Sequence, residues 1–122
     1  MSEEIPPSTS KRFTIPWRNH EGILVWELIG ERAKFRPDGH KEIEDVVVNM
    51  YQGANIDWTM STPACILNNQ SNEAISEADV RIFNKRTEIT GTGFHLLFNE
   101  SRLIIRNHVQ VIIHGGLTKE VL

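Results

Sequence analysis

The 122 residues predict an all-β fold, a barrel or sandwich-like roll assembled from antiparallel strand pairs. Two observations carry that prediction. Apolar side chains recur at every second position in short runs rich in valine, isoleucine and aromatic residues, the pattern of half-buried strands. Polar turn clusters separate these runs at near-regular intervals, and no stretch keeps a helical period for long.

The elements follow in order. Residues 1–11 carry Glu3, Glu4, Pro6 and Pro7 with little apolar surface, and are expected to form a disordered tail. Residues 12–114 read as one domain and 115–122 as a frayed C-terminal tail. Phe13, Ile15 and Trp17 alternate, and Pro16 places their strand at a sheet edge because proline cannot donate to a ladder. Asn19-His20-Glu21-Gly22 is a turn. Residues 23–35 fit a long strand through Leu24, Trp26 and Leu28 better than a helix, with Gly30 marking a bulge.

Arg36-Pro37-Asp38-Gly39 is a strong turn, with proline and Asp-Gly supplying the required dihedrals. Ile43, Val46, Val47, Val48, Met50 and Tyr51 make the next strand, and Gln52-Gly53-Ala54-Asn55 reverses it. Ile56, Trp58 and Met60 alternate with Asp57, Thr59 and Ser61, and a further short strand runs from Ala64 to Leu67. After the loop at 68–72, Ala78, Val80 and Ile82 alternate with polar neighbours. Phe94, Leu96 and Phe98 form the next strand, and Asn99-Glu100-Ser101 turns into Leu103 to Arg106. Val109, Val111 and Ile113 close the series, for a total of about ten short strands.

A coarser period of roughly 31 residues overlies the strands. Trp26 and Trp58 precede the small residues Ala33 and Ala64, and the isoleucines Ile43, Ile75 and Ile105 then recur at similar spacing. Such a period suits stacked units that cover one another's apolar faces.

Composition narrows the function classes. Thirteen basic and sixteen acidic side chains give a net charge of −3, which disfavours a nucleic-acid surface. The single Cys65 cannot form an internal disulfide, and its place beside Pro63 suits a small core residue. His20, His40, His95, His108 and His114 show no ligand spacing, so no metal site is expected. No G-x-S-x-G elbow is present, and Gly91-Thr92-Gly93 lacks the lysine and helix of a phosphate loop. No catalytic residues and no cofactor are assigned. The apolar residues Trp26, Leu28, Trp58, Met60, Val80, Ile82, Phe94, Leu96 and Phe98 either line a greasy groove or fill a closed core.

Residues 88–113 resemble the closing repeat of the LptC/OstA-like family of periplasmic lipopolysaccharide-export proteins. The matching features are Gly91-Thr92-Gly93 running into Phe94 to Phe98, the turn Asn99-Glu100-Ser101, the apolar Leu103-Ile104-Ile105, and Val109-Gln110-Val111. Residues 22–35, from Gly22 through Trp26 and Ala33 to Phe35, are similar to that family's first repeat. The resemblance spans residues 13–113. It implies an OstA-like β-jellyroll of open, V-shaped cross-section whose apolar interior holds lipopolysaccharide or a similar amphipathic lipid. The implied role is a bridge component that takes lipid from an inner-membrane ABC transporter and pairs with other export-bridge proteins through edge strands. The implied location is the periplasm, associated with the inner membrane. The family's N-terminal anchor has no apolar counterpart here, so either a trimmed sequence or an atypical member is expected. An uncapped edge also permits homo-oligomers. A competing reading is a structural or assembly protein that pairs by its edges around a packed interior.

Overall fold

The computed structural model describes residues 12–114; the tails expected at 1–11 and 115–122 lie outside them. Eight strands form one antiparallel sheet: β1 (Phe13–Arg18), β2 (Leu24–Gly30), β3 (Arg32–Phe35), β4 (Lys41–Gln52), β5 (Asn55–Asn68), β6 (Glu73–Phe83), β7 (Thr87–Leu97) and β8 (Arg102–Ile113). The order is β1-β2-β4-β5-β6-β7-β8, and β3 pairs with β4 beside β2. A single 3-10 turn, Phe98–Glu100, joins β7 to β8.

The expected turns fall where turn chemistry put them. Asn19 accepts hydrogen bonds from the Glu21 and Ile23 amides at 2.9 and 3.0 Å, closing the β1–β2 turn. Gly53, at φ 66°, supplies the left-handed residue of the tight β4–β5 hairpin. Pro16 sits on the edge strand β1 as expected, opposite Glu27.

The strand count differs from the expected one, for a physical reason. The chain bends where the sequence suggested breaks. Register shifts interrupt the β5–β6, β6–β7 and β7–β8 ladders between Ser61 and Ile66, Ser76 and Asp79, and Thr90 and Thr92. In the same band lie the β2–β3 interruption at Glu31, Asp45 at φ 54° and His108 at φ 56°. These irregularities form a crease across every long strand, and bulges of this kind bend a sheet without ending it.

The crease divides the sheet into two leaves. The first holds β1, β2 and residues 46–52, 55–62, 79–83, 87–92 and 109–113; the second holds β3 and residues 41–44, 64–68, 73–76, 93–97 and 102–107. Residues of both leaves share one core: Trp26, Leu28, Val48 and Met60 from the first, with Ile43, Leu67, Phe94 and Leu96 from the second. A single-layer sheet buries a shared core on one face only by folding that face onto itself, which gives the jellyroll-like section.

The strand pairs repeat, but the landmarks of the 31-residue spacing are not equivalent by face. Ile43 is buried, whereas Ile75 is exposed on the outer face opposite Ile66 and His95. Ala33 is buried and Ala64 exposed. Each crossing of the crease resets which alternate positions point inward. Gly30 faces the core at the strand end, where an added Cβ would press on Phe13 and Ile43.

Candidate functional site

Cross-strand partners share a face, so the register writes out the inner surface row by row. One row of the first leaf runs Ile15, Leu28, Val48, Met60, Ile82, Ile89, Val111 across β1, β2, β4, β5, β6, β7 and β8. Burial falls along it. Leu28 and Val48 are fully buried, Ile89 is half-buried, and Val111 is 56% exposed. Val109 and Ile113, two positions either side of Val111, are exposed as well.

A second row holds all three tryptophans: Trp17, Trp26, Met50, Trp58. At its β1–β2 end the two leaves are clasped together. The Phe98 ring stacks on Trp17 at 3.8 Å between centroids and meets Trp26 edge-on at 5.4 Å. The Trp17 indole N–H donates to Asn72 Oδ1 at 3.2 Å and that of Trp26 to Ser101 Oγ at 3.3 Å. The Phe98 amide donates to the Asn72 carbonyl at 3.0 Å, which ties the two second-leaf turns to each other. At the other end of the row Trp58 is half-buried with no ring against it among the described residues. The interior is thus packed beside β2 and β4 and opens toward β7 and β8.

The outer face is built differently. Glu27, Asn49 and Thr59 lie in register, and the Asn49 amide donates to Glu27 at 3.2 Å while accepting from the Thr59 hydroxyl at 3.1 Å. Tyr51 donates its hydroxyl to Glu27 at 3.0 Å, and desolvation, with the Glu27 charge, raises its pKa. A cavity of about 750 Å³ follows the outer side of the crease along Val47, Ser61, Arg81, Thr90 and Gln110. Its walls mix Val46, Val47, Pro63 and Val80 with the charged or titratable Glu31, Asp45, Asp79, Arg81 and His108, a surface of mixed character. A second cavity, of about 620 Å³, is a notch at the tip of the first leaf bounded by Ile56, Trp58, Phe83, Lys85 and Arg86.

The apolar residues singled out in the sequence are brought together in large part. Trp26, Leu28, Met60, Val80, Phe94, Leu96 and Phe98 belong to one buried cluster. Ile82 is buried outside that cluster, and Trp58 lies at its open margin. Sequence reasoning missed Ile89, Val109, Val111 and Ile113, which continue the same face into solvent. Their signal was the Val109, Val111, Ile113 alternation, legible as a strand but silent on whether anything covers it.

Acid–base or metal chemistry finds little to work with among the described residues. His95 Nε2 lies 2.7 Å from Glu73 Oε1 on the outer face, on the opposite side of β7 from its buried neighbours Phe94 and Leu96. No three histidine, cysteine or acidic side chains gather as a metal site among the described residues. Burial pushes the Cys65 thiol up to about 12, which leaves it protonated and unreactive near neutrality. No helix of the described residues is long and apolar enough to cross a membrane.

Comparison with known proteins adds the last observation. A family model described as "Lipopolysaccharide-assembly, LptC-related" matches residues 19–114, which span β2 to β8. No curated protein matches the chain.

Proposed function

This chain belongs to the LptC-related family of lipopolysaccharide assembly, and from that premise we propose that it is a lipid-holding component of a lipopolysaccharide-export bridge. It takes lipopolysaccharide, or a similar amphipathic lipid, in the periplasm at the inner membrane, delivered by an ABC transporter, and passes it on without catalysis. The acyl chains enter between the leaves from the β7–β8 side and lie along the row from Met60 to Val111. Trp26, Leu28, Val80, Phe94, Leu96 and Phe98 form the packed floor of that groove, while Trp58 and Ile82 border its mouth.

The observation that carries the reading is the fall in burial along a single apolar row, from fully buried Leu28 to exposed Val111. A closed core would cover that row to its end, because each exposed branched side chain forgoes about 1.5–3 kcal/mol of transfer free energy. Bound acyl chains would recover it.

Neighbouring bridge proteins add to the sheet at β8. From residue 107 to 113 its free edge carries Val109, Val111, Ile112 and Ile113 and no lysine, arginine or acidic residue. Such an edge lacks the charges and prolines that usually block strand addition. The β1 edge carries Pro16 and is the poorer template. The unguarded β8 edge also favours a second reading, an assembly protein that pairs by its edges and carries no lipid.

Native mass spectrometry of the chain with and without lipopolysaccharide separates the two. The carrier reading predicts a one-to-one adduct, abolished by Val111→Glu, a change at an exposed position that leaves the fold intact. Absence of any adduct, together with concentration-dependent oligomers, moves the assignment to the assembly protein.

A further inference from the structure

We infer that the notch at the tip of the first leaf is a headgroup site, in which Lys85 and Arg86 take the phosphate of a phosphorylated lipid while Trp58, on the inner face, holds its apolar shoulder. The inference rests on the lipid-carrier reading and assigns the polar end of the ligand, which the apolar rows leave without a partner.

The notch exists because β5 outruns β6. Residues 55–58 pair with β4 on one side, through Tyr51–Ile56 and Met50–Trp58, whereas pairing with β6 begins only at Thr59–Phe83. The backbone of 56–58 therefore faces the 84–86 turn across an open gap of about 620 Å³ instead of a strand. Ile56 and Trp58 give the gap apolar walls, Phe83 borders it from the outer face in register with Thr59, and Trp58 joins it to the inner face through Met50.

The charge at its rim is available. Arg81 is engaged, with its guanidinium 4.0 Å over the Phe83 ring and donating to Glu88 at 2.6 Å. Lys85 and Arg86 make no ion pair among the described residues; Asp57 is the one acidic side chain lining the notch, and it too is without an ion pair there. The net balance at the rim is positive in a chain whose net charge is −3. The turn that carries the two cations is held on both sides. Asn84 Oδ1 accepts the Arg86 and Thr87 amides at 2.8 and 2.9 Å, and the His114 amide donates to the Arg86 carbonyl at 2.6 Å. Two unpaired cations on a fixed turn, beside the Trp58 indole and an apolar groove, complement a phosphorylated amphiphile and suit neither a neutral lipid nor a bare acyl chain.

The test titrates the full chain with bis-phosphorylated lipid A and with the same lipid after removal of both phosphates. It is run on wild type, on Lys85→Glu/Arg86→Glu, and on a control reversal at exposed positions elsewhere, Arg18→Glu/Lys34→Glu. The expected result is that dephosphorylation weakens wild-type binding by about tenfold or more, the range of a charge-assisted hydrogen bond. The Lys85→Glu/Arg86→Glu variant should bind the phosphorylated lipid correspondingly weakly and no longer tell the two lipids apart, while the control keeps the preference. A wild type that binds both lipids equally, or a Lys85→Glu/Arg86→Glu variant that keeps the preference, overturns the headgroup site and leaves the carrier reading standing. Failure of wild type to bind either lipid overturns both.

Discussion

The clasp between the leaves makes Phe98 the side chain on which the closed end of the groove depends. Phe98 is 4% exposed, stacks on Trp17 and meets Trp26 edge-on, so Phe98→Ala removes a buried ring and two aromatic pairs at once. Truncations of buried phenylalanine cost about 3–5 kcal/mol, a figure that already includes lost pair contacts. Trp17 sits on an edge strand and has room to settle into the vacated space, which favours the lower end, near 3 kcal/mol. For about 100 ordered residues this lowers Tm by roughly 12 °C or more. Phe98→Leu keeps most of the volume and loses the stacking, for a cost of about 1–1.5 kcal/mol. Urea unfolding followed by circular dichroism gives the energies, and hydrogen exchange locates the loosening. Amides of β1 should exchange faster in Phe98→Ala while those of β4 and β5 keep their protection. A Phe98→Ala protein within about 0.5 kcal/mol of wild type, far below the cost of truncating a buried aromatic, would refute the clasp.

Other positions give independent checks. Gly91→Ala places a Cβ against Ile105 and 3.0 Å from the Asn107 carbonyl oxygen, and should cost about 1–3 kcal/mol in the same urea experiment. Cys65 should resist a thiol reagent at pH 8 in the native chain and react fully in denaturant, since burial holds its pKa at about 12; rapid native labelling would contradict the packed second leaf. The Arg81 guanidinium keeps the Glu88 carboxyl below its ordinary 4.5, so this pair stabilises the fold above that pH and the gain is lost as pH falls through the lowered value. Stability curves of wild type and Glu88→Gln should accordingly differ at pH 7 and converge in acid; a constant gap would show that the carboxyl's charge is not what matters.

Much of the fold was legible because its local signals agree. Asn19, Asp38-Gly39 and Gly53 mark turns by chemistry that operates within a few residues, and Pro16 marks an edge by the donor it lacks. The crease was not legible. Asp45 and His108 adopt positive φ without being glycine, and nothing in their neighbours announces it. Each such bulge shifts the face on which alternate residues lie, so a strand that looks interrupted is continuous and Ile75 faces away from where Ile43 points. The candidate site divided along the same line. The buried floor from Trp26 to Phe98 was readable as apolar alternation, whereas the exposure of Ile89 and Val111 depends on how far apart the leaves stand at β8, a property of tertiary packing alone.

A lipid held between the leaves touches the inner face of the first leaf and not its outer face. Adjacent positions on one strand point to opposite faces, so a photoreactive side chain moved by a single residue reports on it. Placed at Ile89 or Val111 and irradiated with lipopolysaccharide, it should form a lipid crosslink; placed at Thr90 or Gln110, it should form none. Equal crosslinking at both sets, or crosslinking at the outer pair alone, would contradict a groove between the leaves.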